Sequence, residues 1–358
     1  MAKRKLSDKQ KRRVKQRHSQ AIQGTQSHEG NTSRPKNTLS GGSDKKTENA
    51  RDGVIITNYG AQVLVETLEK NSTAPKSREI CHLRANLDVT VSGDKVVWHP
   101  GDKSRDEYGV VTSIHPRKSI IQRPDSYGKL KPVAANVSQM LITIAIEPEP
   151  HFHLIDRYLV SAENHGIKAA IILNKNDLLH NEHQNFVHKL QSIYCETLGY
   201  KLLAVNAKNE IDDQLKELLT DETSIFVGQS GVGKSSLIQK LLPSQDIKIG
   251  DLSEAAAKGR HTTTHSCLYH FPWGGTCIDS PGIREFGMWH FDAREVINGF
   301  VDLRAHSELC RFRDCTHDHE PGCAIHKAIE QGDILPERYD SYQRIVKQLD
   351  DVEIKPNL

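Results

Sequence analysis

The chemically richest stretch is Gly228-Gln229-Ser230-Gly231-Val232-Gly233-Lys234-Ser235, a complete Gly-x4-Gly-Lys-Ser run followed by Ser236. Glycines at these spacings let successive backbone N–H groups point into one concavity, which suits a phosphate. The apolar "SIFV" before the run and the helical "SSLIQKLL" after it supply the strand–loop–helix context the motif needs. The helix adds its positive N-terminal end. In that arrangement Lys234 bridges β- and γ-phosphate oxygens, and the Ser235 hydroxyl binds Mg²⁺. A glycine-rich turn with no ligand is the competing reading, and the complete match in context disfavours it.

A second run, Asn174-Lys175-Asn176-Asp177, follows the apolar "AAIIL". A carboxylate at Asp177 can accept hydrogen bonds from guanine N1–H and N2–H₂, a donor pair that adenine lacks. Asn174 would tie this box to the phosphate loop, and the Lys175 stem would lie over the ring. The short "VNAK", with Asn206 and Ala207, offers backbone contacts to the base oxygen, although Asn206 stands where such loops usually have serine. Downstream, "GRHTTTH" carries Thr262, Thr263 and Thr264. Thr263 is the residue expected to close over Mg²⁺ and the γ-phosphate. In "CIDSPG", Asp279 ends a strand and can hold a metal-bound water, while the Gly282 N–H can reach the γ-phosphate. Ile283 comes next and cannot orient water. Slow intrinsic turnover follows, with His261 or His265 as candidates for placing the attacking water.

Cys310-x4-Cys315-x-His317-x5-Cys323 is a different kind of site. Three thiolates and one imidazole satisfy tetrahedral Zn²⁺ and leave no open position, so the expected role is structural. His319 and His326 are alternative nitrogen donors. Seven cysteines is an odd number, which with this clustering favours a metal in a reducing compartment over a disulfide framework. The other cysteines lie in strand or helix patterns and read as core.

These groups need elements to position them. Residues 51–133 contain short β-rich runs bounded by Gly, Pro, Asn or Asp, five strands that suggest a small β-barrel: an OB-fold binding RNA is the natural candidate, and an SH3-like or other small barrel serving as a spacer is the alternative. Residues 134–290 alternate strands and helices, the pattern of a parallel sheet covered on both faces. Residues 291–358 are helical around the Cys/His loop. Residues 1–50 carry 13 Lys/Arg against 4 Asp/Glu and lack apolar periodicity, so they read as a disordered basic arm suited to a polyanion. The whole chain's formal net charge is only +2, so the remainder is net acidic. No apolar run is long enough to span a membrane, and the basic N-terminus lacks the apolar core of a secretory signal.

The order of the loops is unusual: guanine box, "NAK", phosphate loop, threonine loop, Asp-x-Pro-Gly. It is a rotation of the order in which the phosphate loop comes first. A rotation keeps every strand-end loop in place if the original termini are close. Together "NKND", "GQSGVGKSSL", "GRHTTTH", "DSPGIREFG" and the Cys/His cluster give the chain, over residues 51 to 340, a strong resemblance to the bacterial small-ribosomal-subunit biogenesis GTPases. That resemblance implies an OB-fold, a central circularly permuted GTPase and a zinc domain. It also implies contacts with 16S rRNA, binding to the 30S subunit late in maturation, hydrolysis of GTP to GDP stimulated by that subunit, and then release. The expected setting is the cytoplasm and the expected state a monomer. Two other classes compete: a nucleotide-gated RNA scaffold with incidental hydrolysis, and a nucleoside kinase, which would leave Asp177 unexplained.

Overall fold

The computed structural model describes residues 49–68, 77–124, 129–242, 266–280 and 291–353. Most of the basic arm lies outside the described residues, as do His261, Thr262, Thr263, Thr264, His265, Gly282 and Ile283. The chain divides into two compact units. Of the described residues, 49–68, 77–118, 134–136 and 266–268 form the first, and the others form the second.

The first unit holds five strands, β1 (Arg51–Asn58), β2 (Gln62–Thr67), β3 (Arg78–Leu83), β4 (Lys95–His99) and β5 (Gly109–Ile114). Their order is β1-β2-β3-β5-β4, and β4 pairs back onto β1, so the sheet closes on itself. All pairings are antiparallel except β3 with β5. This is the five-stranded barrel of an OB-fold. Strand β5 alternates buried and half-buried residues along its length, as a strand with one face on a core must. Ile55, Val63, Val65, Cys81, Val96, Trp98 and Val111 fill the interior. Register shifts between Ile55 and Thr57 and between Val97 and Trp98 supply the local bends that closure needs.

Residues 119–133, assigned to the barrel by strand spacing alone, group with the second unit. Strands β6 (Ile120–Pro124) and β7 (Leu130–Ala135) pair with each other and add nothing to the barrel ladder. The second unit then runs β8 (Gln139–Ala145), α1 (Phe152–His165), β9 (Lys168–Asn174), α2 (Gln184–Leu190), β10 (Lys201–Ala204), α3 (Asp213–Leu219), β11 (Thr223–Val227), α4 (Lys234–Leu241), the last two residues of β12 (Cys267–His270), and β13 (Thr276–Asp279). The stretch 182–198 looks helical in the sequence, and it is: α2 ends at Leu190 and runs on as a π-helix over Gln191–Thr197. The sheet order is β10-β9-β8-β11-β13-β12, with β10, β9, β8, β11 and β13 mutually parallel. All seven residues of β8 are buried, as a central parallel strand covered on both faces requires.

Helices α5 (Ala293–Gly299), α6 (Val301–Ser307), α7 (Ala324–Gln331) and α8 (Pro336–Glu353) complete the second unit. Their apolar faces meet Val160 of α1 through Val296, Phe300, Leu303, Ile325 and Ile345. A buried ionic knot sits in this interface. Arg338 of α8 forks onto Asp302 of α6 at 2.9 and 3.0 Å, hydrogen-bonds Asp156 of α1, and lies 4.4 Å from the Phe300 ring. Tyr194 donates to the same Asp156 at 2.8 Å. A buried guanidinium is tolerable only when its donors are matched in this way. Among the described residues no helix is long and apolar enough to cross a membrane.

Candidate nucleotide site and metal centre

Five parallel strands end at one edge of the sheet, so the loops after β8, β9, β10, β11 and β13 emerge together, where ligands bind in open α/β folds. The loop after β11 begins at Gly228 and passes into α4, whose N-cap is Gly233. Gly228, Gly231 and Gly233 have φ of 137°, 86° and 91°, a region disfavoured for L side chains. Space forbids side chains as well. A Cβ on Gly228 would lie 2.1 Å from the Thr143 carbonyl oxygen, and one on Gly233 would lie 2.4 Å from Asn174 Nδ2. Lys234 is buried, and its ammonium donates to the Gly228 and Gln229 carbonyls, both at 2.7 Å. The cation is thereby held over the loop's concavity. Tyr158 of α1 is buried, and burial raises its phenol pKa.

The loop after β9 is tied to this one. Asn174 is buried and donates to the Val232 carbonyl at 2.9 Å, while its Oδ1 accepts from the Ala207 N–H at 3.3 Å. One side chain thus joins the loops after β9, β10 and β11. The Asn176 N–H donates to the Val205 carbonyl at 3.1 Å, closing the same junction. Lys175 takes a left-handed conformation, φ 59°, and its ammonium reaches the Glu147 carbonyl at 2.8 Å. Asp177 is exposed, with the Lys208 ammonium 3.0 Å from its carboxylate. That hydrogen bond holds the Asp177 carboxyl below its usual range. Asn206 turns its side chain to the Lys208 N–H at 2.9 Å. Asp279 ends β13, and Ser280 behind it is buried. Strand β13 is next to β11, so Asp279 leaves the sheet beside the glycine loop.

Sequence reasoning passed over Lys208 as a partner of Asp177 and the Glu147 carbonyl as a partner of Lys175. Lys208 had a signal, since it ends the "NAK" run. A backbone carbonyl in the loop after β8 had none.

In the C-terminal part, Cys310, Cys315, His317 and Cys323 bring one ligand atom each within 4.8 Å of one another. Cys310 and Cys323 Sγ lie 3.9 Å apart, and His317 Nδ1 lies 3.5 Å from Cys310 Sγ and 3.7 Å from Cys323 Sγ. Tetrahedral zinc with Zn–S of about 2.3 Å and Zn–N of about 2.0 Å sets edges near ~3.8 Å between sulfurs and ~3.6 Å from sulfur to nitrogen. The donor set fits that ion in both type and spacing. None of the three cysteines is in a disulfide. His317 adopts φ 63°, and its carbonyl accepts from the Tyr339 hydroxyl at 2.7 Å. Glu320 accepts from the Thr316 N–H and hydroxyl, both at 2.6 Å, and from the Asp318 N–H at 2.9 Å. His319 and His326 are not in the cluster, and His326 is turned toward the Asp318 carbonyl at 2.8 Å.

A glycine loop on a central parallel strand, a base-reading loop two strands away and an Asp-x-Pro-Gly strand on the other side define a P-loop GTPase with its motif order circularly permuted. A family model described as RsgA GTPase matches residues 114–289. Two curated relatives carry the name small ribosomal subunit biogenesis GTPase RsgA. The one from Saccharophagus degradans is 50% identical, covering 99% of this chain and 100% of its own. The one from Hahella chejuensis is 47% identical over 99% of both. Among solved structures, YjeQ from Thermotoga maritima is 29% identical with a TM-score of 0.67, covering 84% of this chain and 98% of its own. YloQ, described as a circularly permuted GTPase, is 27% identical with a TM-score of 0.67, covering 89% of this chain and 100% of its own. The chain belongs to the RsgA GTPase family.

Proposed function

We infer that this protein binds the small ribosomal subunit through 16S rRNA late in 30S maturation, hydrolyses GTP to GDP and phosphate when the subunit stimulates it, and then leaves. The observation that carries the nucleotide half is Asn174, whose two hydrogen bonds join the phosphate loop to both base-side loops. The bond fixes the three loops relative to one another, as a single ligand spanning them would need.

In this reading the amides from Gly228 to Gly233, the Lys234 ammonium, and Ser235 and Ser236 receive the phosphates. Ser235 and Thr263 hold Mg²⁺, which neutralises phosphate charge when bound. Asp279 would help hold that ion through a water, and the Gly282 N–H would take the γ-phosphate. Asp177 reads guanine, Lys175 covers the ring, and Asn176, Asn206 and Ala207 line the base side. Lys208 shields Asp177 as an exchangeable counter-ion. Ile283 leaves the attacking water to His261, His265 or the subunit. Cys310, Cys315, His317 and Cys323 hold one structural zinc that orders an otherwise polar loop. The domain bounds that go with this reading are a basic arm to residue 50, an RNA-binding OB-fold to about 118, the GTPase to 290 and the zinc-bearing domain beyond. The protein works as a cytoplasmic monomer.

Single-turnover GTP cleavage with and without 30S subunits tests the reading, alongside co-sedimentation in a non-hydrolysable analogue and in GDP. Faster cleavage with 30S and retention only in the analogue are expected. Equal rates would favour a nucleotide-gated scaffold.

A further inference from the structure

Asp177 has two lysines near it, and they are used differently. Lys175, two residues earlier, takes a left-handed conformation and sends its ammonium to the Glu147 carbonyl at 2.8 Å. That cation is spent on the loop after β8. Lys208, in the loop after β10, places its ammonium 3.0 Å from Asp177 Oδ2. The Lys208 side chain is 78% exposed and the Asp177 side chain 33%. An ion pair this wet adds little to stability, so the fold gives no reason for it.

The placement of Lys208 begins with Asn206. Its Oδ1 accepts from the Lys208 N–H at 2.9 Å, the turn that an asparagine makes with the backbone two residues on. A serine, the usual residue at this point of such loops, makes that turn more weakly. The Asn206 carbonyl accepts from the Asn209 N–H at 3.0 Å, and the Asn176 N–H donates to the Val205 carbonyl at 3.1 Å. These bonds tighten the turn and tie it to the loop that carries Asp177. The root of the Lys208 side chain is therefore fixed beside the carboxylate.

Reading guanine asks for both oxygens of that carboxylate. The N1–H and the 2-amino group stand side by side on the base, and each needs one oxygen. Hypoxanthine is the same ring without the 2-amino group and needs only one. Lys208 holds one oxygen, Oδ2. We propose that Lys208 is a specificity-determining residue, which competes with the guanine 2-amino group for one oxygen of Asp177. The inference rests on the guanine reading of Asp177 and deepens it. A hypoxanthine nucleotide binds through the other oxygen and leaves the ion pair intact. A guanine nucleotide gains the 2-amino bond and gives up the ion pair. Guanine still wins, because a hydrogen bond to a carboxylate outweighs an exposed ion pair. The margin over hypoxanthine is narrower than Asp177 alone would give.

The test is calorimetric titration of the full-length protein with GDP, IDP and ADP, in wild type, Lys208→Met and Asn206→Ser. Methionine keeps the apolar stem and drops the ammonium. A lost attraction for phosphate, or a lost contact with the ring, moves GDP and IDP alike and cancels in their ratio. Lys208→Met should raise the GDP-to-IDP affinity ratio about two- to fivefold, the range for an exposed ion pair. Asn206→Ser should move the ratio the same way by less. Raising salt from about 50 mM to about 500 mM should raise the ratio in wild type and leave it flat in Lys208→Met, since the competing pair is screened. An unchanged ratio in Lys208→Met would overturn the proposal. So would a ratio that falls, which would make Lys208 a support for Asp177 and not a competitor. Wild type binding ADP as tightly as GDP would count against the guanine reading itself. A clear preference for GDP over ADP, with a GDP-to-IDP ratio indifferent to Lys208, would count against this inference alone.

Discussion

The nucleotide site and the Cys/His site sit in the same unit, but they are made in opposite ways. The first draws on loops after β9, β10, β11 and β13, from Asn174 to Asp279, and no two adjacent segments of chain could form it. The second is complete between Cys310 and Cys323. The long-range site is positioned by a parallel sheet, which would hold its loops in place without ligand. The local site brings together donors that suit one zinc ion, and in the proposed reading that ion would order a loop this polar. The difference explains why the motif order can be rotated: a sheet edge is indifferent to which strand comes first, provided all strands stay parallel and adjacent.

The largest effect that would sharpen this contrast lies in the local site. Cys323→Ser removes a buried ligand, so the loop should lose its metal and helix α7 its N-terminal anchor. Structural zinc contributes on the order of 10 kcal/mol in small zinc domains, so tight stoichiometric zinc should disappear in metal analysis. GTP affinity should change little, since the sheet-edge loops do not depend on this ligand. If GTP binding collapsed as well, the two sites would not be independently built.

Asn174→Ala strikes the long-range site at its junction. The Val232 carbonyl and the half-buried Ala207 N–H would lose their partner, at about 1–3 kcal/mol for the carbonyl left buried and unpaired. Calorimetric titration should show weaker guanine-nucleotide binding by roughly ten- to a hundredfold, with zinc retained. Unchanged affinity would mean that the junction is not part of the ligand site.

Much of this was legible in the sequence, for reasons that can be stated residue by residue. The glycine loop was readable because its side-chain requirements are absolute, and φ 86° at Gly231 leaves little choice. The barrel was readable because its strands are short and each is bounded by turn residues. The Arg338–Asp156–Asp302 knot was not readable. Each member looks like an ordinary charge on a helix surface, and only the packing of α1, α6 and α8 brings them together. The β6–β7 ribbon was also missed, since nothing in "IIQRP" or "LKPVAA" tells a barrel strand from a ribbon pairing with its own neighbour.

The smallest effect concerns the local site's own support. Glu320 is held down to about 2, first by the Thr316 hydroxyl and then by the Thr316 N–H. A carboxyl depressed in the folded state stabilises it above the ordinary carboxylate range and loses that contribution as pH falls toward 2. Glu320→Gln should therefore weaken zinc retention against a chelator by a few-fold. The difference should be flat from pH 6 to 8, because Glu320 stays ionised throughout. A difference that changes across that window would mean that another group sets it.

If separated loops in rotated order read one guanine nucleotide, Asp177 is the residue on which the choice of base depends. Binding of GTP, XTP and ATP to the wild-type protein and to Asp177→Asn should be measured under the same conditions. Wild type should prefer GTP, and the variant should lose GTP and gain XTP, a reversal of preference on the order of a hundredfold or more, with the fold intact by circular dichroism. A variant that keeps its preference for GTP, or a wild type that binds ATP as well as GTP, would contradict guanine reading by these loops.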